Sequence, residues 1–315
     1  MRFLRLGGVA FLLCSGAVSL HAQDGAYTYK TETHLIDLTM SVHDAKGGLI
    51  QGLTQQDFKV VEDGVQQQIR FFAHDTQLPL SIGLIIDASG SQAAFVKAHE
   101  KDVEKFVHEV LAPGDEAFAV CFGNHLRLVS DFTGSSDALI AGVQRFDKGD
   151  RNAPEIGPKE ERELGTALYD AVYFGIADKL TGRPQRRKVL LILSDGQDNS
   201  SEHDLLDAIE QAQNANVVVY AVRYTDAKGD SLKARDRYGV RALDHLTAQT
   251  GGKTYDVHHV KIEQAFAEIA GEVRSLYEVA YQSTNRERDG SFRKVEIKPV
   301  NPDIVVRSRA GYDAR

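Results

Sequence analysis

Hydrophobic positions follow two different rhythms along the chain. Between residues 27 and 79 apolar residues recur with a period near two, as in THLIDLTMSVHD, where Leu35, Ile36, Leu38, Met40 and Val42 interleave with polar positions. That spacing predicts half-exposed strands. Lys46-Gly47-Gly48 signals a turn, DFKVVEDG a second short strand, and Asp63-Gly64 a hairpin turn into a third, QQQIRFFAH. From Leu80 the rhythm changes. LSIGLIID is a continuous apolar run, as expected of a strand covered on both faces. EAFAVCFG, LRLVSDF, RRKVLLILSD, VVVYAVRY and KTYDV read as further strands. Helical spacing separates them, in QAAFVKAHEKDVEKFVHEVL, SDALIAGVQRF, TALYDAVYFGIADKL, HDLLDAIEQAQNA, ALDHLTAQTGG and IEQAFAEIAGEVRSLY. The period of two then returns in YEVAYQS, SFRKVEIKPV and DIVVRSR.

Strands alternating with helices over residues 80–276 predict an α/β fold, a doubly wound and mostly parallel sheet. Short strands are unstable alone. The two flanks, 23–79 and 277–315, are therefore expected to pair into one small all-β sandwich, with the α/β domain inserted between its halves.

Residues 1–22 stand apart. Arg2 and Arg5 precede an apolar stretch from Gly7 to Leu20, and Leu20-His21-Ala22 forms a cleavage triplet. The pattern is that of an export signal cut after Ala22; the apolar stretch is shorter than the roughly 18–20 residues a bilayer span needs. An uncleaved anchor is the alternative. Lipidation at Cys14 is disfavoured by Leu13 before it. The expected location is outside the cytoplasm: periplasm, cell surface or medium.

Removing residues 1–22 takes the net charge from −8 to −10. Such an acidic chain lacks the clustered Lys and Arg that phosphate backbones require, so nucleic acid is not an expected partner. The remainder keeps one cysteine, Cys121, within EAFAVCFGN, and so no intramolecular disulfide.

The chemistry concentrates where LSIGLIID ends at Asp87 and Ser89 and Ser91 follow on alternate positions. A second apolar strand, KVLLILSD, ends at Asp195, and Thr166 opens a helix after a long polar loop. Doubly wound sheets bind ligands at the carboxyl ends of strands where the strand order reverses. If the two strands are neighbours there, two carboxylates and several hydroxyls converge. Such oxygens either cap the following helices or hold a hard cation such as Mg²⁺. With neither His nor Cys in these segments, zinc is a poor fit.

Asp87, Ser89 and Ser91 in D-x-S-x-S, then Thr166, then Asp195 in SDGQD resemble the metal-ion-dependent adhesion site of von Willebrand factor type A domains. The flanks, GLTQQDFKVVEDGVQQQIRFF before and TGGKTYDV, LYEVAYQSTN, DGSFRKVEIKPV and SRAGYDA after, resemble the exported bacterial VWFA-related family. The resemblance implies that Ser89 and Ser91 ligate a divalent cation directly and Thr166 directly or through water. Asp87 and Asp195 would act largely through bridging waters. A partner protein's Asp or Glu would fill the open position. Mg²⁺ is the expected ion, with Mn²⁺ or Ca²⁺ as alternatives. Gln92 departs from the Met common after the second serine and is expected to touch helix packing more than coordination.

Other signals in the sequence are weaker. Asn285, Glu287, Asp289, Gly290 and Glu296 match a calcium-loop spacing, but strands rather than helices are expected around them, and Asp289-Gly290 reads as a hairpin turn. His258-His259 lacks partner ligands nearby, and His108-Glu109 does not continue to H-E-x-x-H, since residue 112 is Ala. KEERE at 159–163 is expected to be a solvated loop face.

The expected function is therefore non-enzymatic: an exported, cation-dependent protein–protein interaction or adhesion module. One alternative is a structural scaffold whose metal only stabilises the fold. A second is a Mg²⁺-dependent phosphoryl-transfer enzyme, against which Ser89 stands where a D-x-D signature needs a carboxylate.

Overall fold

The computed structural model describes residues 35–93, 96–158, 165–183, 185–225 and 234–315, with the backbone alone at Ser91 and Val96. The export signal expected at 1–22, Cys14 and the KEERE run lie outside the described residues. Four strands come first: β1 (Ile36–Asp44), β2 (Phe58–Glu62), β3 (Val65–Gln67) and β4 (Ile69–Ala73). Strands and helices then alternate through β5 (Leu80–Asp87), α1 (Val96–Val110), β6 (Glu116–Phe122), β7 (Leu126–Thr133), α2 (Ser136–Asp147) and α3 (Leu168–Phe174). They continue through β8 (Arg187–Ser194), α4 (Leu205–Asn214), β9 (Val217–Arg223), α5 (Ala234–Gln249), β10 (Thr254–Asp256) and α6 (Ile262–Arg274). β11 (Tyr277–Tyr281), β12 (Phe292–Pro299), β13 (Ile304–Ser308) and β14 (Gly311–Asp313) close the fold.

The central sheet has the order β10-β9-β8-β5-β6-β7 and is parallel except for β7. All eight residues of β5 are buried, which is why its sequence is continuously apolar rather than alternating. Leu80, Ile82, Leu84 and Ile86 face a core shared with Val103, Phe106 and Val107 of α1, Val143 of α2 and Phe266 and Ile269 of α6. Ile85 faces the opposite core, shared with Leu168 of α3, Ile209 of α4 and Leu246 of α5. The doubly wound α/β fold expected from the pattern is what the structure shows.

Strands from both ends of the chain build two antiparallel sheets, β13-β1-β11-β4 and β14-β12-β2-β3. Leu38, Met40, Tyr277 and Val279 of the first face Phe58, Val60, Val295 and Ile297 of the second across one core. Neither flank closes this sandwich without the other.

Several local expectations are corrected. QQQIRFFAH is two strands: β3 pairs with β2, while β4 pairs with β11 in the other sheet. Asp63 (φ 48°) and Gly64 (φ 83°) do form the turn into β3. Asp289-Gly290 does not join a hairpin, because β11 and β12 belong to different sheets; Gly290 instead donates its N–H to Ala314. β14 was not expected from the pattern. α5 starts at Ala234, well before Ala242, where the expected helix ALDHLTAQTGG begins. The helix after Thr166 ends as a wider, π-type turn at Gly175–Leu180, where a Cβ on Gly175 would lie 3.1 Å from Ile85 Cδ1.

The chain passes from β4 into β5 and returns from α6 into β11 on one side of the central sheet, and a single side chain binds both crossings. Buried Arg187, the first residue of β8, donates from Nη2 to the carbonyls of Asp75 (2.7 Å) and Leu276 (2.8 Å). Its Nη1 donates to Arg274 O (3.1 Å) and Val273 O (3.3 Å). Asp115, ion-paired to Arg274, also accepts the N–H of Leu80 at 2.8 Å.

Candidate metal centre

Asp87 is the last residue of β5, and Asp195 follows the last residue of β8. These strands are parallel neighbours at the point where the strand order reverses, β5 having β6 on its other side. Ile86 pairs with Leu193, which brings Asp87 level with Ser194. The sequence expectation that the two aspartates share one crevice rests on that adjacency, and the geometry has it.

Each carboxylate oxygen already accepts a hydrogen bond from the protein, and the Ser89 side chain adds a further one to Asp87. Asp87 Oδ1 accepts the Ser89 backbone N–H at 2.9 Å, and Oδ2 accepts the Ser194 hydroxyl at 2.5 Å. Asp195 Oδ1 accepts the Gln197 N–H at 2.9 Å, and Oδ2 accepts the Gln92 amide at 3.0 Å. These bonds fix both carboxylates. Asp87 is 1% exposed and Asp195 4%, with Ser89 and Thr166 at 7% each, so all four are withdrawn from bulk water. Burial pushes the Asp87 carboxyl up to about 6, against the hydrogen bonds from Ser194 and Ser89, and the charge of Asp195 adds to the rise.

Thr166 is held between the two aspartate loops. Its N–H donates to Asn199 Oδ1 at 2.8 Å, and its carbonyl accepts from Asn199 N at 3.0 Å and Ser200 N at 3.3 Å. The next residue, Ala167, donates to Gly123 O at 2.9 Å. Gly123 in turn lies against Ala88 and Ser89, 3.8 Å from where its own Cβ would stand. Ser91 sits in a single 3-10 turn, Gly90–Gln92, described in its backbone only. The structure thus brings Asp87, Ser89, Thr166 and Asp195 to one crevice and places the Ser91 backbone on the same loop.

Gly196 explains how close the second loop can come to α5. Its φ is +81°, and a Cβ there would lie 2.3 Å from the carbonyl of Gly239. Only a glycine pair permits that approach. Gln197 adds a bond from its amide to Asp236 Oδ1 in the first turn of α5, at 2.8 Å.

Two residues of the crevice, Ser194 and Asn199, were missed by sequence reasoning, and a third, Gln92, was given a different role. Ser194 directly precedes Asp195, and its position opposite Asp87 follows only from strand register. The reading of Gln92 as helix packing is corrected. It is 1% exposed, its Nε2 donates to Asp195 and to Tyr224 O (3.4 Å), and its Oε1 is buried without a partner among the described residues.

The donor set fits a hard divalent cation: oxygen ligands only, and two desolvated, mutually repelling carboxylates whose charge a cation would offset. Among the described residues no three His, Cys, Asp or Glu side chains gather into a metal-binding group; the crevice itself brings together two, Asp87 and Asp195. The calcium-loop spacing runs from a loop, where Asp289 accepts from Ser291 and Arg293, into β12, where Glu296 pairs with Lys294 and Lys298. His258 contacts Thr225 O at 2.5 Å, and His259 contacts Asp256 at 3.1 Å.

The sequence matches the von Willebrand factor type A domain model over residues 81–238. No curated protein matches it. Solved structures similar to this one include an aerotolerance-related membrane protein from Bacteroides fragilis, 14% identical, covering 62% of this chain and 98% of its own, with a TM-score of 0.46. A von Willebrand factor type A protein from Catenulispora acidiphila is 13% identical, covering 91% of this chain and 74% of its own, with a TM-score of 0.46. Proximal thread matrix protein 1 from the mussel byssus, with its MIDAS motif occupied by zinc, is 14% identical, covering 67% and 49%, with a TM-score of 0.45. By the family match, which takes in half of its residues, the chain belongs to the von Willebrand factor type A domain family.

Proposed function

We propose that this protein is an exported, non-enzymatic interaction module that binds an acidic side chain of a partner protein through a divalent cation, with Mg²⁺ the best-fitting ion. Domains of this family generally mediate protein–protein interaction. The observation that carries the reading is the pair of buried carboxylates, Asp87 and Asp195, at adjacent parallel strand ends. Ser89, Ser91 and Thr166 supply the hydroxyl ligands. Asp87 and Asp195 hold the waters around the ion, and their orientation is set by Ser194, Gln92 and the backbone N–H groups. When bound, the cation supplies a positive centre for a partner's Asp or Glu. Among the described residues no helix is long and apolar enough to cross a membrane; export itself rests on the pattern of residues 1–22.

Calorimetric titration with Mg²⁺, Mn²⁺ and Ca²⁺ tests the site, beside Asp87→Ala and Ser89→Ala. One saturable site abolished by both substitutions supports it. Absence of binding in the wild type, in the presence and absence of a carboxylate such as acetate, removes it. A metal that raises stability while partner capture is insensitive to chelator returns the function to a structural scaffold.

A further inference from the structure

A cavity of about 490 Å³ opens where α6 passes the sandwich, with His43 of β1, Arg307 of β13 and Glu272 of α6 on its wall. The three side chains form one bonded group. Arg307 lies opposite Ser41 in the pairing of β13 with β1, on the face that also carries His43 two residues on. Its Nη2 donates to Glu272 Oε2 and to His43 Nε2, at 2.6 Å each. Glu272 Oε1 accepts from the Tyr220 hydroxyl of β9 at 2.8 Å. His43 and Glu272 are both buried, and Arg307 is half-buried.

The two ring contacts of His43 settle its protonation. Nδ1 stands 3.2 Å from the Gly47 carbonyl, which only accepts, so Nδ1 carries the hydrogen. Nε2 faces the Arg307 guanidinium, which only donates, so Nε2 carries none. Ser41 Oγ, 3.0 Å from Nε2, suits either state. His43 is therefore neutral, and a second proton would set N–H against N–H beside a cation. Burial and then Arg307 hold the ring below its ordinary 6.5; Lys253 adds to this, while Glu272 and the Gly47 bond oppose it. The remaining titratable groups on the wall are engaged. Asp44 accepts from Lys46 N and Gly48 N, Glu268 pairs with Lys253, and the Tyr255 ring lies against Lys253 Nζ.

We propose that His43 is an acid-operated latch between the sandwich and α6. A proton taken from solvent onto Nε2 drives the Arg307 guanidinium into the cavity, and the new N–H takes over Glu272 Oε2, which stands 3.7 Å from it. β13 thereby loses its charged tie to α6, and β1 gains one. The latch does not involve the metal crevice.

The test is an NMR pH titration of the full chain, following the His43 imidazole, identified by its loss in His43→Gln, together with the Arg307 Nε–H. In the wild type the imidazole is expected to titrate below 6.5, with the Arg307 signal moving at the same midpoint. In Arg307→Gln the proton affinity of His43 is expected to rise about tenfold or more, the repelling charge being gone. A histidine held below its ordinary value stabilises the fold in its neutral form, a contribution full above 6.5 and lost as pH falls. The urea midpoint of the wild type should therefore fall further than that of His43→Gln between pH 7.5 and 5. Buried His99, held down at about 4, is common to both proteins and cancels. An Arg307 signal that stays still while His43 titrates overturns the exchange. A proton affinity unchanged in Arg307→Gln overturns the latch, as do parallel urea profiles. If Arg307→Gln does not fold, the wild-type titration and the urea profiles decide.

Discussion

The Gln92 amide donates to Asp195 Oδ2 across 3.0 Å, joining the loop that carries Ser89 and Ser91 to the loop that carries the second aspartate. Replacing Gln92 by Met removes that donor from a buried carboxylate. The metal-free protein is expected to lose about 1–3 kcal/mol, and saturating Mg²⁺ is expected to raise the melting temperature of Gln92→Met more than that of the wild type. Calorimetric scans with and without Mg²⁺ check this; equal shifts in the two proteins would show that Gln92 has no part in balancing the Asp195 charge.

Ser194 bridges Asp87 Oδ2 and the N–H of Gly196, at 2.5 and 3.0 Å. Ser194→Ala therefore strips a donor from Asp87 and an acceptor from Gly196 at once, with an expected loss of about 1–3 kcal/mol in denaturant unfolding. Cation affinity should fall as the carboxylate loses its fixed orientation. An unchanged titration curve would mean that strand register alone positions Asp87.

Gly196 and Gly149 share a positive φ, +81° and +99°, but differ in surroundings: a Cβ at 149 meets nothing within 4 Å, one at 196 the Gly239 carbonyl at 2.3 Å. Gly149→Ala is expected to lose about 1 kcal/mol from backbone conformation alone. Gly196→Ala should lose about 2–4 kcal/mol, the added part being overpacking, and should displace Asp195 enough to impair metal binding. Similar urea midpoints for the two variants would refute the steric account.

Asp147, at the end of α2, is pushed up to about 6 from its ordinary 3.8, first by burial and then by Glu100 of α1, with Arg151 opposing. A carboxyl whose folded value is raised stabilises the fold in its protonated form. That contribution is full below 3.8 and is lost as pH rises through about 6. Asp147→Asn should remove this part of the pH dependence, leaving a shallower fall in urea midpoint between pH 4 and 7. Parallel pH profiles for wild type and variant would contradict it.

Much of this architecture was legible from residue spacing because burial writes itself into composition. β5 is apolar at nearly every position because helices cover both its faces, and β1 alternates because its second face, Thr39, Ser41 and His43, is buried on polar partners. What spacing cannot show is which neighbour a strand selects. Gln67 and Ile69 both read as one strand's inward positions, yet the chain changes sheets at Gln68, with Gln67 bonded to Thr284. The candidate site divides in the same way. Asp87 and Asp195 announce themselves as charges ending apolar runs. Ser194 and Gln92 act through contacts between residues more than 100 positions apart, and no local signal encodes those.

Arg187 also determines how the molecule bears mechanical tension. A pull on anything held at the Asp87–Asp195 face loads β5 and β8 along their length, and the seven register pairs between them resist together in shear rather than opening one by one. β5 is continuous with the segment running up from the sandwich, so its load has a covalent path down. β8 has none so direct, but the Arg187 guanidinium at its foot grips Asp75 on one connector, and Leu276 on the other together with Val273 and Arg274 at the end of α6. Both central strands are thereby moored to the same two cables, and tension on the outer face reaches the sandwich without first dividing the sheet.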